Sequence, residues 1–153
     1  MLILGTFDEY GNAIVGIQVA GDSGSKRYLA IIDTGFSGFV ALPLVEMIDL
    51  GLSTQGAANV TLGDGSVISN LVSTGAVTLG AQTESGTILL GETSTDVLVG
   101  MAFLREFKMA LILTNNAVVL YDEHETVEAV ARFMGTAPPG QPNTAPSAGE
   151  GNG

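Results

Sequence analysis

Apolar residues along this chain fall in short runs broken by glycine, asparagine and aspartate clusters, a spacing that suits strands better than long helices. Leu2 to Phe7 is the first run and closes at Asp8-Glu9-Tyr10-Gly11-Asn12. Ala13 to Ala20 alternates in strand fashion, with Ile14, Gly16 and Gln18 opposite Val15, Ile17 and Val19, and Gly21 to Ser25 supplies a turn. These segments predict a hairpin. Arg27 to Asp33 is a further apolar strand, and Pro43 to Gly51 predicts a short helix, with Pro43 in its first turn and Gly51 at its end. Asn59 to Leu62 and Val67 to Val72 flank Gly63-Asp64-Gly65, a second hairpin. Ala76 to Leu79 and Thr87 to Leu90 are separate strands by the same pattern.

Beyond them, Val97 to Val99 stops at Gly100, and Met101 to Phe107 reads as a turn of helix. Met109 to Leu113 and Val118 to Tyr121 flank Asn115-Asn116, a pair that tolerates positive φ and suits a hairpin turn. Asp122, with Glu125 three positions on, resembles a capping box for a helix to about Met134, with Val127, Val130 and Met134 on one face. From Thr136 the sequence turns to proline, glycine and polar residues without apolar periodicity, so residues 136–153 are expected to form a disordered tail. The pattern predicts an all-β domain over residues 1–135 with two or three short helices.

Composition narrows the chemistry. With no cysteine, disulfides, thiol catalysis and cysteine-ligated zinc are excluded, and the single histidine, His124, cannot build an all-histidine metal site within one chain. A formal charge of −11 disfavours binding to a phosphate backbone, so no nucleic-acid partner is expected. The opening MLILGTFDEY lacks a basic n-region, and no apolar stretch reaches the ~20 residues of a membrane helix. A soluble cytoplasmic protein without a membrane partner is the expectation. Asp64 reads as a turn residue and Asp96 as the end of a loop, not as second catalytic carboxylates.

The segment that carries chemistry is Ile31 to Pro43, IIDTGFSGFVALP. Asp33 closes a buried apolar strand, where an ionised carboxylate is costly unless hydrogen-bonded. Gly35 lets the backbone turn and aim N–H groups at that carboxylate. Thr34 offers a hydroxyl, and Ser37 is placed to bond its outer oxygen. Further on, LVGMAFL, Leu98 to Leu104, places Leu98, Val99 and Gly100 ahead of the short helix.

Taken together, these features resemble the retropepsin-like aspartic proteases, and more narrowly their bacterial and archaeal branch with the motif Asp-Thr-Gly-Phe. Ile31 and Ile32 precede Asp33-Thr34-Gly35, a hairpin with its tip near Leu62, Gly63, Asp64, Gly65 and Ser66 follows at a flap-like distance, and two apolar residues then lead to Gly100. The resemblance spans roughly residues 2–121. It implies a single-lobe acid protease barrel with one or two short helices that dimerises, because Asp-Thr-Gly occurs once in the chain. It also implies an aspartic endopeptidase acting on peptide or protein substrates, with Asp33 catalytic, Thr34, Gly35 and Ser37 supporting it, Phe36 in the substrate cleft and residues 62–66 as flap. No metal and no organic cofactor is needed for that chemistry. A non-catalytic dimerising module that binds peptides through the same cleft is the alternative.

Overall fold

A computed structural model describes residues 1–61 and 64–135. Its strands are β1 (Leu2–Phe7), β2 (Ala13–Ala20), β3 (Ser25–Ile32), β4 (Val40–Pro43), β5 (Gly56–Thr61), β6 (Val67–Leu79), β7 (Gln82–Gly91), β8 (Leu98–Val99), β9 (Ala110–Leu113) and β10 (Val118–Tyr121). Three short helices accompany them: α1 (Glu46–Leu50), α2 (Met101–Glu106) and α3 (Val127–Met134). Among the described residues no helix is long and apolar enough to cross a membrane. The tail expected at 136–153 lies outside the described residues.

The strands run in the order β5-β6-β7-β4-β8-β3-β2-β1-β10-β9, and an additional β2–β6 pairing joins β2, β6, β7, β4, β8 and β3 into a closed ring. Closure removes two edges that would otherwise expose unpaired backbone. The inward residues of this ring form the core, with Val15, Val19, Ala30, Val40, Leu42, Val77, Leu79, Ile88, Leu90 and Val99 all almost fully buried. One end is sealed by Phe39, Phe103 and Phe107, whose ring centroids lie 4.6 to 6.3 Å apart. Burying each of the two fully enclosed rings, Phe103 and Phe107, contributes up to ~3 kcal/mol.

Several local expectations give way to tertiary pairing. Pro43 ends β4 instead of starting a helix, because Val40 to Pro43 pair in parallel with Ile88 to Gly91. β8 pairs only with Val40 and Ala41, which leaves Pro43 at an open edge where a missing N–H is tolerated, and the helix starts only at Glu46. Ala76 to Leu79 is not a separate strand but the end of β6, which runs unbroken through Gly75 opposite Gly86 of β7. The β9–β10 turn does not use positive φ at Asn115 or Asn116. Thr114 Oγ1 accepts from Asn116 N and Ala117 N there, which closes the turn without strain.

The expected capping box at Asp122 and Glu125 is also displaced. Thr126 caps α3, its Oγ1 accepting from Ala129 N at 3.1 Å. Asp122 instead accepts from His124 N and from the Met1 ammonium at 2.6 Å, and the ammonium holds its carboxyl below the usual range. On α3, Val130 is buried whereas Val127 is 64% exposed, so the two do not share the inward face.

Two helix attachments lead to predictions. Lys108 is the one non-glycine residue with positive φ among the described residues, at 53°, where the chain leaves α2. Lys108 N donates to Arg105 O and Met109 N to Leu104 O, the paired bonds of a left-handed helix end that glycine makes without strain. Lys108→Gly should raise unfolding stability by about 1 kcal/mol in urea titration, and no gain would show that the position is unstrained.

At the other end, Glu46 fixes α1 to β3 by accepting from Lys26 Nζ at 2.6 Å and Tyr28 OH at 2.7 Å. Those two bonds, Lys26 first, hold the Glu46 carboxyl below its ordinary 4.5, so its contribution is present above that pH and fades as pH falls through the folded value. The stability difference between wild type and Glu46→Gln, followed by denaturation from pH 7 to 3, should shrink below about pH 4.5. A constant difference would mean that charge plays no part in the attachment.

Candidate active site

The candidate site is made by a two-residue strand threaded between two others. Ile31 and Ile32 of β3 pair in parallel with Leu98 and Val99 of β8, while β8 pairs antiparallel with Val40 and Ala41 of β4. The chain between β3 and β4, Asp33 to Phe39, must therefore arch over the incoming β8. That arch carries the Asp-Thr-Gly sequence.

Backbone bonds hold both feet of the arch. Asp33 N donates to Val99 O at 2.9 Å, and Gly100 N donates to Phe39 O at 3.2 Å. The first amides of α2 then turn inward: Met101 N donates to Phe36 O at 2.8 Å and Ala102 N to Gly38 O at 3.1 Å. These amides have no partner within the helix, so they satisfy the arch's carbonyls at no cost to α2. Within the arch, Phe36 N donates back to Asp33 O and closes a turn.

The Asp33 side chain is half-buried, and its Oδ1 accepts from Gly35 N at 2.9 Å. Thr34 and Gly35 are exposed beside it. Ser37, expected to bond the outer oxygen, makes no side-chain hydrogen bond among the described residues; separately, its backbone carbonyl accepts from Ala102 N. Ser37 is exposed and belongs to the part of the arch tied to α2.

Phe36 has a place that the sequence alone did not reveal. A Cβ at Gly38 would lie 2.4 Å from the Phe36 ring, and one at Gly100 would lie 2.6 Å from it. The ring thus rests on two glycines, one in each motif, and is half-buried there. Gly100 is tighter still, since its Cβ would meet Phe36 O at 2.4 Å and Gly38 O at 2.5 Å. Leu98 is half-buried, whereas Val99 and Gly100 are buried. The spacing of Gly38 and Gly100 from Phe36 held this signal, but reading it required knowing that β8 passes under the arch.

The β5–β6 hairpin projects from the barrel beyond the β6–β7 pairing, which begins at Leu71. Of its five expected tip residues, Leu62 and Gly63 lie outside the described residues. Asp64 is a turn residue, as anticipated: its Oδ1 accepts from Ser66 N and Ser66 Oγ, and Gly65 takes φ 83°. The Ser66 hydroxyl holds the Asp64 carboxyl below its usual range. No cluster of three or more metal-ligating side chains occurs among the described residues.

Among solved structures, the chain is similar to the crystal structure of a retropepsin-like aspartic protease from Rickettsia conorii, with a TM-score of 0.56 over 78% of this chain and 90% of that one. The chain has the retropepsin-like fold. Identity to that structure is 18%, so the likeness is one of fold. No family model and no curated protein matches the sequence.

The threaded geometry makes a contrast testable. Gly100→Ala pushes a methyl into two backbone carbonyls and should cost about 3 kcal/mol or prevent folding. Phe36→Ala, which removes a half-buried ring from the two glycines, should cost about 2 kcal/mol. Gly35→Ala meets only Asp33 Oδ1, at 3.2 Å, and should leave the melting temperature almost unchanged. Equal effects of all three by thermal denaturation would refute the account of the arch.

Proposed function

We propose that this chain is one half of a homodimeric aspartic endopeptidase of the Asp-Thr-Gly-Phe branch, residues 1–135 forming its protease lobe and Asp33 its catalytic carboxylate. The observation that carries this reading is the position of Asp33 on a retropepsin-like fold. It stands half-exposed at a strand end, with one oxygen held by Gly35 N. A single Asp-Thr-Gly in the sequence leaves the second carboxylate to come from a second copy.

In the dimer, two Asp33 carboxylates face each other and share a water. Like charges at such range cannot both ionise cheaply, so the pair holds one proton across acidic pH, the general behaviour of aspartic protease dyads. The ionised member takes a proton from the water as that water attacks the peptide carbonyl, and the protonated member donates to the carbonyl oxygen. The resulting apparent pKa values belong to the pair. Exposed Thr34, whose hydroxyl has no partner among the described residues, is free to bond across the dimer axis. Gly35 lies beside Asp33 where substrate backbone must pass.

Support for the flap role comes from the β5–β6 hairpin, which projects from the ring and carries Val67, 59% exposed, next to its tip. Closing such a hairpin over an extended peptide excludes water and adds strand-like pairing. By this reading the Phe36 ring, resting on Gly38 and Gly100, belongs to the substrate cleft.

The test is digestion of a diverse peptide mixture between about pH 3.5 and 7, the span in which a shared-proton pair works. Wild type and Asp33→Asn are compared at a concentration where sedimentation shows dimers. Wild type should cleave and Asp33→Asn should lose at least a thousandfold in rate. Silence from both with the dimer intact would favour the peptide-binding module.

A further inference from the structure

We propose that the outer face of β2 and β3 is a docking surface for an extended peptide segment bearing an apolar side chain and, two residues on, a carboxylate. A cavity of about 410 Å³ opens there, lined among others by Gly16, Gln18, Arg27, Leu29 and Thr78. Leu29 lies four residues before Asp33, ~13 Å along the extended chain, so this surface is separate from the arch and independent of the reading given to Asp33.

Three observations fit that ligand. Leu29 is 76% exposed, and its cross-strand partner is Gly16. A Cβ at Gly16 would meet nothing within 4 Å, and its φ is not in the left-handed region. Neither backbone nor packing therefore requires glycine, and its effect is to leave a trough beside an uncovered leucine. The next pair along the same face is Gln18 with Arg27.

Charge selects the second feature of the ligand. In a chain of net charge −11, no acidic residue lines this cavity. The Arg27 side chain makes no hydrogen bond or ion pair among the described residues, whereas its neighbour Lys26 is held by Glu46. The trough and Arg27 lie two residues apart along the strands, ~6.8 Å, the same spacing as alternate side chains of an extended peptide. A ligand that seats an apolar side chain on Gly16 and Leu29 thus brings its next same-side residue to the guanidinium. A carboxylate there completes a charge-assisted pair.

The probe is the peptide Ac-Ala-Leu-Ala-Glu-Ala-NH2, titrated into the 15N-labelled full chain and followed by amide shifts. Saturable shifts should concentrate at Gly16, Gln18, Arg27, Leu29 and Thr78. Replacing the peptide's glutamate by glutamine should weaken binding about threefold, and raised salt should erase that difference. Replacing its leucine by serine should abolish saturation. Gly16→Val, a better strand former that fills the trough, should abolish binding without loss of thermal stability. Arg27→Gln, at an exposed position, should make the glutamate and glutamine peptides equal. Several outcomes would overturn the proposal: no saturation by about 10 mM peptide, shifts confined to Asp33 and its arch, indifference to Gly16→Val, or broadening at Gly16 and Leu29 that depends only on protein concentration and so marks self-association.

Discussion

Passing β8 between β3 and β4 is the constraint on which the rest of this molecule depends. Two residues, Leu98 and Val99, join the halves of the ring, and the Asp-Thr-Gly sequence lies where the chain arches over them. The arch is tied down because its carbonyls accept from the otherwise unpaired amides at the start of α2. Those bonds form only if the backbones at residues 36, 38 and 100 meet closely, which requires Gly100 and favours Gly38. One steric requirement therefore links a motif at residue 33 to a motif at residue 98, far apart in sequence.

That coupling explains the aromatic character of this end of the barrel. Phe39, at the far foot of the arch, stacks on Phe107 and meets Phe103 at a tilt. The arch thus rests on α2 through backbone bonds above and through ring contacts below. Phe36 fills the remaining gap on the two glycines, so its bulk serves the arch as well as any cleft. A smaller residue there would leave a void over Gly38 and Gly100.

Polar groups at the periphery fix the added pieces to the ring. Glu46, Lys26 and Tyr28 attach α1 to β3, and Ser73 Oγ donates to Ser53 O to tie the segment after α1 to β6. Both attachments use groups distant in sequence, and neither touches the arch. Beside the closed apolar ring and its arch, α1 and the segment after it are thus fastened by a few directed bonds.

Strand alternation, turn residues and the Asp-Thr-Gly motif sufficed to read the all-β class, the Ala13–Ala20 strand, the Asp64 turn and the location of Asp33, because each rests on local period or local backbone freedom. The same local reasoning misplaced Pro43, divided β6 at Gly75, capped α3 from Asp122 and gave Ser37 a bond to Asp33. In the first three cases a partner remote in sequence outcompeted the local preference: β7 beside Pro43 and Gly75, and the Met1 ammonium at Asp122. The seat of Phe36 on Gly38 and Gly100 belongs to the same class. By itself the sequence determined which residues can form strands, turns and a held carboxylate, since those depend on side-chain period and φ. Only the tertiary structure decided which backbone groups meet, because ring closure and the threading of β8 bring together amides and carbonyls that no local pattern relates.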